Sequence, residues 1–185
     1  ENIFRSVNIA LVNELMVLSQ RMGIDIWEVI NAAATKPFGY MPFYPGPGVG
    51  GHCIPVDPFY LSWKAREHDF YVNFIQTAAQ INDNMPYYVV TRVADILSEH
   101  DKPVKGSRLL LLGMTFKKDI GDVRNSPSVR VAELLMQKGA VLSYHDNYAD
   151  EIILNGITYS NVHLDDAMLR KYDATILLVD HSYYD

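Results

Sequence analysis

The chain has 185 residues, of which 49% are hydrophobic and 21% charged, with a formal net charge of −6. That composition predicts a soluble globular fold, argues against a nucleic-acid surface, and leaves no apolar run near the ~20 residues of a membrane span. A single cysteine, Cys53, cannot form an internal disulfide, and this points to a reducing, cytoplasmic setting. From the first residues, Ile3, Val7, Ala10, Leu11, Leu15, Leu18 and Met22 keep helical spacing. A helix that starts at full stride is expected to continue a longer chain. A second helix is predicted after Asp25, with Glu28 three residues on in capping-box position. A glycine- and proline-rich loop, 37–56, precedes a third helix beginning at Asp57-Pro58. A fourth covers about 71–99 and is expected to break or kink at Pro86.

The polar turn at 101–107 predicts a boundary between a helical domain, 1–100, and a second domain, 108–185. There the run Arg108–Met114 reads as a central strand. Ser126, Pro127 and Gly139 bracket a helix as N-cap, first residue and terminator. "AVLSYHD" and "DATILLVD" read as further buried strands. Alternating strands and helices give the fold class: an all-helical domain followed by a Rossmann-like parallel sheet, the α + α/β combination.

Two stretches carry chemistry. In "PGPGVGGHCIPVDP" (45–58), glycines at 46, 48, 50 and 51 let backbone N–H groups approach a ligand, and the prolines stiffen the loop. A plain surface turn has the same composition. Cys53 follows the loop and precedes a helix start, a setting that favours a thiolate. Asp57, four residues on, is placed to activate water at the same centre. A Cys–His pair with His52 and a metal site from His52, Cys53, Asp57 and His68 remain open alternatives, although the spacing fits no common zinc pattern. The second stretch is "GMTFKKDIGDVR" (113–124). Residues 104–130 hold six Lys/Arg and two Asp, a local +4 in an acidic chain. Such a run is either a solvated face or an anion site at the strand ends. The segment lacks Gly-x-Gly-x-x-Gly, which argues against ordinary dinucleotide binding there. Asp146, at the end of "SYHD", reads as a weak candidate for a ribose-binding acid.

"ENIFRSVNIALVNEL", "PGPGVGGHCIPVDPFYL" and "GMTFKKDIGDVRNSP" together resemble the UDP-glucose/GDP-mannose dehydrogenase family, nearest its UDP-N-acetylglucosamine 6-dehydrogenase branch. The resemblance covers almost the whole chain. It implies an oxidoreductase that converts the C6 alcohol of a UDP-sugar to a uronic acid for surface polysaccharide precursors. Two molecules of NAD take the hydrides, and Cys53 carries thiohemiacetal and thioester intermediates. It further implies that Asp57 assists hydrolysis and Asn2 holds the oxyanion. Tyr44, Pro45, Gly46, Pro47, Gly48, Val49 and Gly50 would line the sugar and phosphates. Phe116 and Lys117 would contact the nucleotide, and Arg124 the NAD. The family's NAD domain and a catalytic lysine four residues before Asn2 would lie outside this chain, which alone is expected to be inactive. A homodimer through the helical domain is implied as well.

The chain departs from the UDP-glucose branch in two places. Pro37 stands where an arginine often reaches a neighbouring subunit, and Val56 where some relatives have lysine. Both differences lean toward N-acetylhexosamine substrates. Two other readings stay open: a non-catalytic dimerisation and UDP-binding module, and a thiol hydrolase built on Cys53 and His52.

Overall fold

A computed structural model describes residues 1–184. They form two compact units: Glu1–Val49 with Cys53–Met85, and Gly50–His52 with everything from Pro86 onward. The first unit is helical, comprising α1 (Asn2–Met22), α2 (Ile26–Ala34), α3 (Asp57–Arg66) and the first half of α4 (Asn73–Glu99). Asp25 caps α2 by accepting the Trp27 N–H at 2.8 Å, so the cap bond goes to the second helical residue and not the third. Val12, Ile26 and Ile30 form a small core with Met16 and Phe43.

A chain of amides crosses this unit. Asn13 is fully buried; its Nδ2 donates to Asn82 Oδ1 at 3.0 Å, while its Oδ1 accepts the Gly46 N–H at 3.0 Å. Asn82 Nδ2 in turn donates to the Ser6 carbonyl at 3.1 Å. Buried amides persist only when their hydrogen-bonding capacity is met, and this chain meets it while tying α1, α4 and the loop together.

The second unit is built on a three-stranded parallel sheet of order β2-β1-β5. Its strands are β1 (Arg108–Leu112), β2 (Val141–His145) and β5 (Ala174–Leu177), with α5 (Pro127–Gln137) between β1 and β2. Leu109, Leu110 and Leu111 are essentially unexposed, as a central parallel strand requires. Ser126 caps α5 through the Ser128 N–H, and Pro127 opens the helix. The Rossmann-like parallel sheet expected from the alternating pattern is therefore present.

Four details differ from the sequence expectation. α4 runs unbroken through Pro86; what changes there is the packing. Ile75, Ala78 and Met85 are buried in the helical unit, whereas Val90, Val93 and Leu97 join the core against the sheet. The compact units accordingly divide at Met85/Pro86, ahead of the polar turn at 101–107. That turn belongs to the sheet unit: Gly106 N–H donates to Gly139 O at 2.8 Å, and Val104 packs on the core. An antiparallel hairpin, β3 (Glu151–Leu154) and β4 (Ile157–Ser160), lies outside the main sheet. Its turn is Asn155-Gly156, with φ of 50° and 79°, the left-handed pair that joins two-residue hairpins. Finally, α6 (Asp166–Leu169) is a single turn, and β5 is an edge strand with Leu177 54% exposed, not a buried one.

Asn82→Ala should destabilise the helical unit by about 2 kcal/mol, because it leaves the Asn13 Nδ2 without its acceptor and opens a cavity in the interior. Urea unfolding followed by circular dichroism measures this.

Candidate functional site

The candidate residues divide between the two units. On the helical unit, Cys53 is exposed and sits in a turn closed by its own carbonyl, which accepts the N–H groups of Val56 at 3.1 Å and Asp57 at 2.8 Å. Asp57 is the first residue of α3, Pro58 has no N–H, and Phe59 N–H donates to Val56 O. These N–H groups of the helix start are thus taken within the turn. The turn presents the thiol without donating those hydrogens to its sulfur. Asn2, at the start of α1, donates from Nδ2 to Asp57 Oδ2 at 2.6 Å. The structure therefore joins Asn2 to Asp57, a pair 55 residues apart in sequence.

The loop before the thiol is pinned at several points. Phe43 meets Phe4 edge to face at 5.7 Å, and Tyr44 stacks on Trp27 at 5.7 Å with an interplanar angle of 18°. Pro45, Pro47, Gly48 and Val49 are half-buried. The N–H of Gly46 is engaged by Asn13, so that amide serves the loop's own anchorage. The asparagines that do this escaped the sequence reading, which scored helix faces by apolar spacing alone. Their signal was an amide standing at core positions: Asn13 three residues from Ala10, Asn82 four from Ala78 and three from Met85.

On the sheet unit, Gly50–His52 lies against the loop that follows β1. A Cβ at Gly50 would sit 2.7 Å from the Asn125 carbonyl, Phe116 Cβ and Pro127 Cδ. At Gly51, with φ 82°, it would sit 2.8 Å from the Phe116 ring. Gly51 N–H donates to Arg124 O at 3.3 Å, and Asn125 Nδ2 donates to Gly51 O at 3.1 Å. These two glycines allow a close approach to Phe116 and Asn125.

The two lysines of "FKKD" are distinguished. Lys118 pairs with Asp180 at 3.4 Å, whereas Lys117 is exposed and has no ionic partner among the described residues. Arg124 is 71% exposed and grips Asp122 through Nε and Nη2, the latter at 2.7 Å. Those hydrogen bonds from the Arg124 side chain and backbone hold the Asp122 carboxyl down at about 2.

Asp146 does not face a ligand. It is fully buried at the C-terminal end of β2, and both oxygens are occupied. Oδ2 accepts from Met114 N at 2.6 Å, Thr115 N at 3.1 Å and His181 Nε2 at 3.2 Å. Oδ1 accepts from Tyr148 N at 2.9 Å and the Tyr183 hydroxyl at 3.2 Å. Burial pushes its carboxyl up, but the backbone donors of Tyr148, Met114 and Thr115, aided by His181, outweigh that and leave it below the usual range. Among the described residues, no group of three or more His, Cys, Asp and Glu side chains is placed to hold a metal ion. No helix among them is long and apolar enough to cross a membrane.

A helical unit followed by a Rossmann-like sheet is also the arrangement of solved nucleotide-sugar dehydrogenases. The structure of UDP-D-ManNAc dehydrogenase from Pyrococcus horikoshii matches with a TM-score of 0.85 at 28% identity, covering 98% of this chain and 40% of that one. The NDP-N-acetyl-D-galactosaminuronic acid dehydrogenase of Methanosarcina mazei matches at 0.84 and 30% identity, covering 100% of this chain and 40% of that one. In sequence, the whole chain is 38% identical to a UDP-N-acetyl-D-glucosamine 6-dehydrogenase of Pseudomonas aeruginosa and 37% identical to a UDP-N-acetyl-D-mannosamine dehydrogenase of Escherichia coli. It spans 43% and 44% of their respective lengths. The model of the UDP-glucose/GDP-mannose dehydrogenase family's central domain matches residues 1–84, and that of its UDP binding domain matches residues 110–185. The chain belongs to the UDP-glucose/GDP-mannose dehydrogenase family.

A carboxylate held below its usual pKa stabilises the fold above the unfolded value of about 3.9, and that contribution disappears as pH falls through the lower folded value. The sheet unit should therefore lose stability as pH falls below about 4. Asp146→Asn should cost on the order of 3 kcal/mol at neutral pH and flatten this acid limb, as read from urea midpoints between pH 2.5 and 7.

Proposed function

We propose that this chain is the thiol-bearing, nucleotide-binding part of an NAD-dependent UDP-sugar 6-dehydrogenase acting on a UDP-N-acetylhexosamine or UDP-glucose. The observation that carries the reading is the exposed Cys53 in a turn closed onto Asp57, whose carboxylate is held by Asn2. The relatives named above supply the substrate class, and the reducing setting implied by a lone thiol fits the cytoplasm.

In this mechanism the Cys53 thiolate adds to the C6 aldehyde. A C–S bond forms, and the carbonyl π pair moves to oxygen as an oxyanion. Asn2 has a second Nδ2 hydrogen beyond the one given to Asp57, and it donates that hydrogen to the oxyanion. Loss of hydride from C6 leaves a thioester on Cys53. Asp57 then takes a proton from water as the water oxygen attacks the thioester carbon. The C–S bond breaks, and the thiolate leaves the free carboxylate. Covalent retention explains why a four-electron oxidation proceeds without release of the aldehyde.

NAD, when bound, would supply the hydride acceptor for each of the two oxidations, one molecule per hydride. Arg124 suits one anionic group of it, being exposed and cationic. The sheet offers no glycine fingerprint for the rest: after Gly113 the chain reads Met114, Thr115, Phe116, with no further glycine until Gly121. The loop from Tyr44 to Gly50 lines the sugar and phosphates, and Phe116 with the unpaired Lys117 takes the nucleotide.

The products belong to the synthesis of surface polysaccharides. A homodimer through the helical unit completes the reading. Phe4, Leu11, Leu15, Leu18 and Met22 leave an apolar stripe exposed on α1. Ile75 and Ala78 on α4 are buried within the unit and add nothing to that stripe.

In the full-length protein supplied with UDP-N-acetylglucosamine and NAD, Cys53→Ser should abolish uronate formation; undiminished formation would overturn the thiol's role. Asp57→Asn should slow product release by about 10²-fold or more while a sugar adduct accumulates on Cys53, visible by intact-protein mass spectrometry. Light scattering at micromolar concentration should report a dimer, and Leu15→Glu with Leu18→Glu should shift it to monomer.

A further inference from the structure

We infer that His181 and Asp146, neither of which faces solvent, are positioning residues for nucleotide binding, fixing the backbone on both sides of Phe116 and Lys117. The inference rests on the reading above that this loop takes the substrate's nucleotide.

The loop leaves the C-terminal end of β1, where side chains and backbone must be placed without a strand to hold them. Asp146 clamps its first half by accepting the N–H groups of Met114 and Thr115. His181, also fully buried, clamps the second half: Asp119 N–H donates to His181 Nδ1 at 2.9 Å. Because Nδ1 accepts, the hydrogen of the neutral ring is on Nε2, which points at Asp146 Oδ2 at 3.2 Å and Thr115 Oγ1 at 3.1 Å. The Thr115 hydroxyl passes the constraint on by donating to the Lys117 carbonyl at 3.2 Å. Asp119 is secured in turn by Ser182, whose N–H and hydroxyl donate to its carboxylate at 2.9 and 2.6 Å. The residues just after β5 thus tie down the far end of the loop, and the end of β2 ties down the near end. Between the two clamps the Lys117 side chain is exposed and has no ionic partner among the described residues. A cation carried on a fixed backbone binds an anionic ligand more tightly than one on a mobile loop, since less ordering is left to the binding step.

The test uses the full-length protein, with UDP as the probe in calorimetry and initial rates measured on the UDP-sugar. His181→Leu should weaken UDP binding about tenfold, raise KM by a similar factor and leave kcat within about twofold. Thr115→Val removes the hydroxyl link alone and should weaken UDP about threefold while lowering the melting temperature by only a few degrees; this variant decides the matter if His181→Leu does not fold. UDP affinity unchanged in a folded His181→Leu, or in Thr115→Val, overturns the inference, as does a fall in kcat with KM unchanged. Lys117→Ala separates the two levels. If it weakens UDP while the His181 variant does not, only the positioning inference fails. If Lys117→Ala leaves UDP binding intact, the nucleotide reading of the loop fails and the inference falls with it.

Discussion

A carboxylate with no access to water must be met by donors, or it is forced to take up a proton. Asp146 meets this constraint with five donors drawn from three segments: the end of β1, the turn after β2 and the residues after β5. Each segment is a loop at the C-terminal side of the parallel sheet, the side where open α/β sheets bind ligands. Satisfying one buried charge therefore orders the rim as a whole. His181 extends the same network by one step. It also stacks on Tyr183, with ring centroids 5.2 Å apart and an interplanar angle of 11°, so the rim is closed by aromatic packing as well as by hydrogen bonds.

The helical unit solves a parallel problem with neutral groups. The Asn13–Asn82 amide pair costs apolar core at two positions, yet it fixes both helix register and the start of the glycine-rich loop. Cys53 and Asp57 are exposed, whereas the Asn13–Asn82 pair is buried and hydrogen-bonded.

Much of this was legible in the residues. Strand β1 announced itself as an uninterrupted leucine run, and α5 by its Ser126-Pro127 start and Gly139 end, because those signals are local. The candidate site was legible as three motifs in order. What was hidden depends on contacts distant in sequence. Asp146 resembled a ligand-binding acid because its strand-end position is the usual one; only the fold shows that protein donors already occupy it. Pro86 predicted a break or a kink; the helix does not break, because a proline costs it one hydrogen bond and some bending, and packing on both halves of α4 outweighs that. The Asn155-Gly156 hairpin has a turn signature legible from the residues alone, but it lies outside the alternating strand-helix pattern.

Gly50 has a consequence beyond its own position. The space a methyl group would need there is already filled by Phe116 Cβ, the Asn125 carbonyl and Pro127 Cδ. A larger residue at 50 is therefore possible only if those neighbours give way together. Two motifs that look independent in the sequence, the glycine loop before the thiol and the lysine loop after β1, are in this sense one unit of inheritance. Drift in either is limited by the shape of the other.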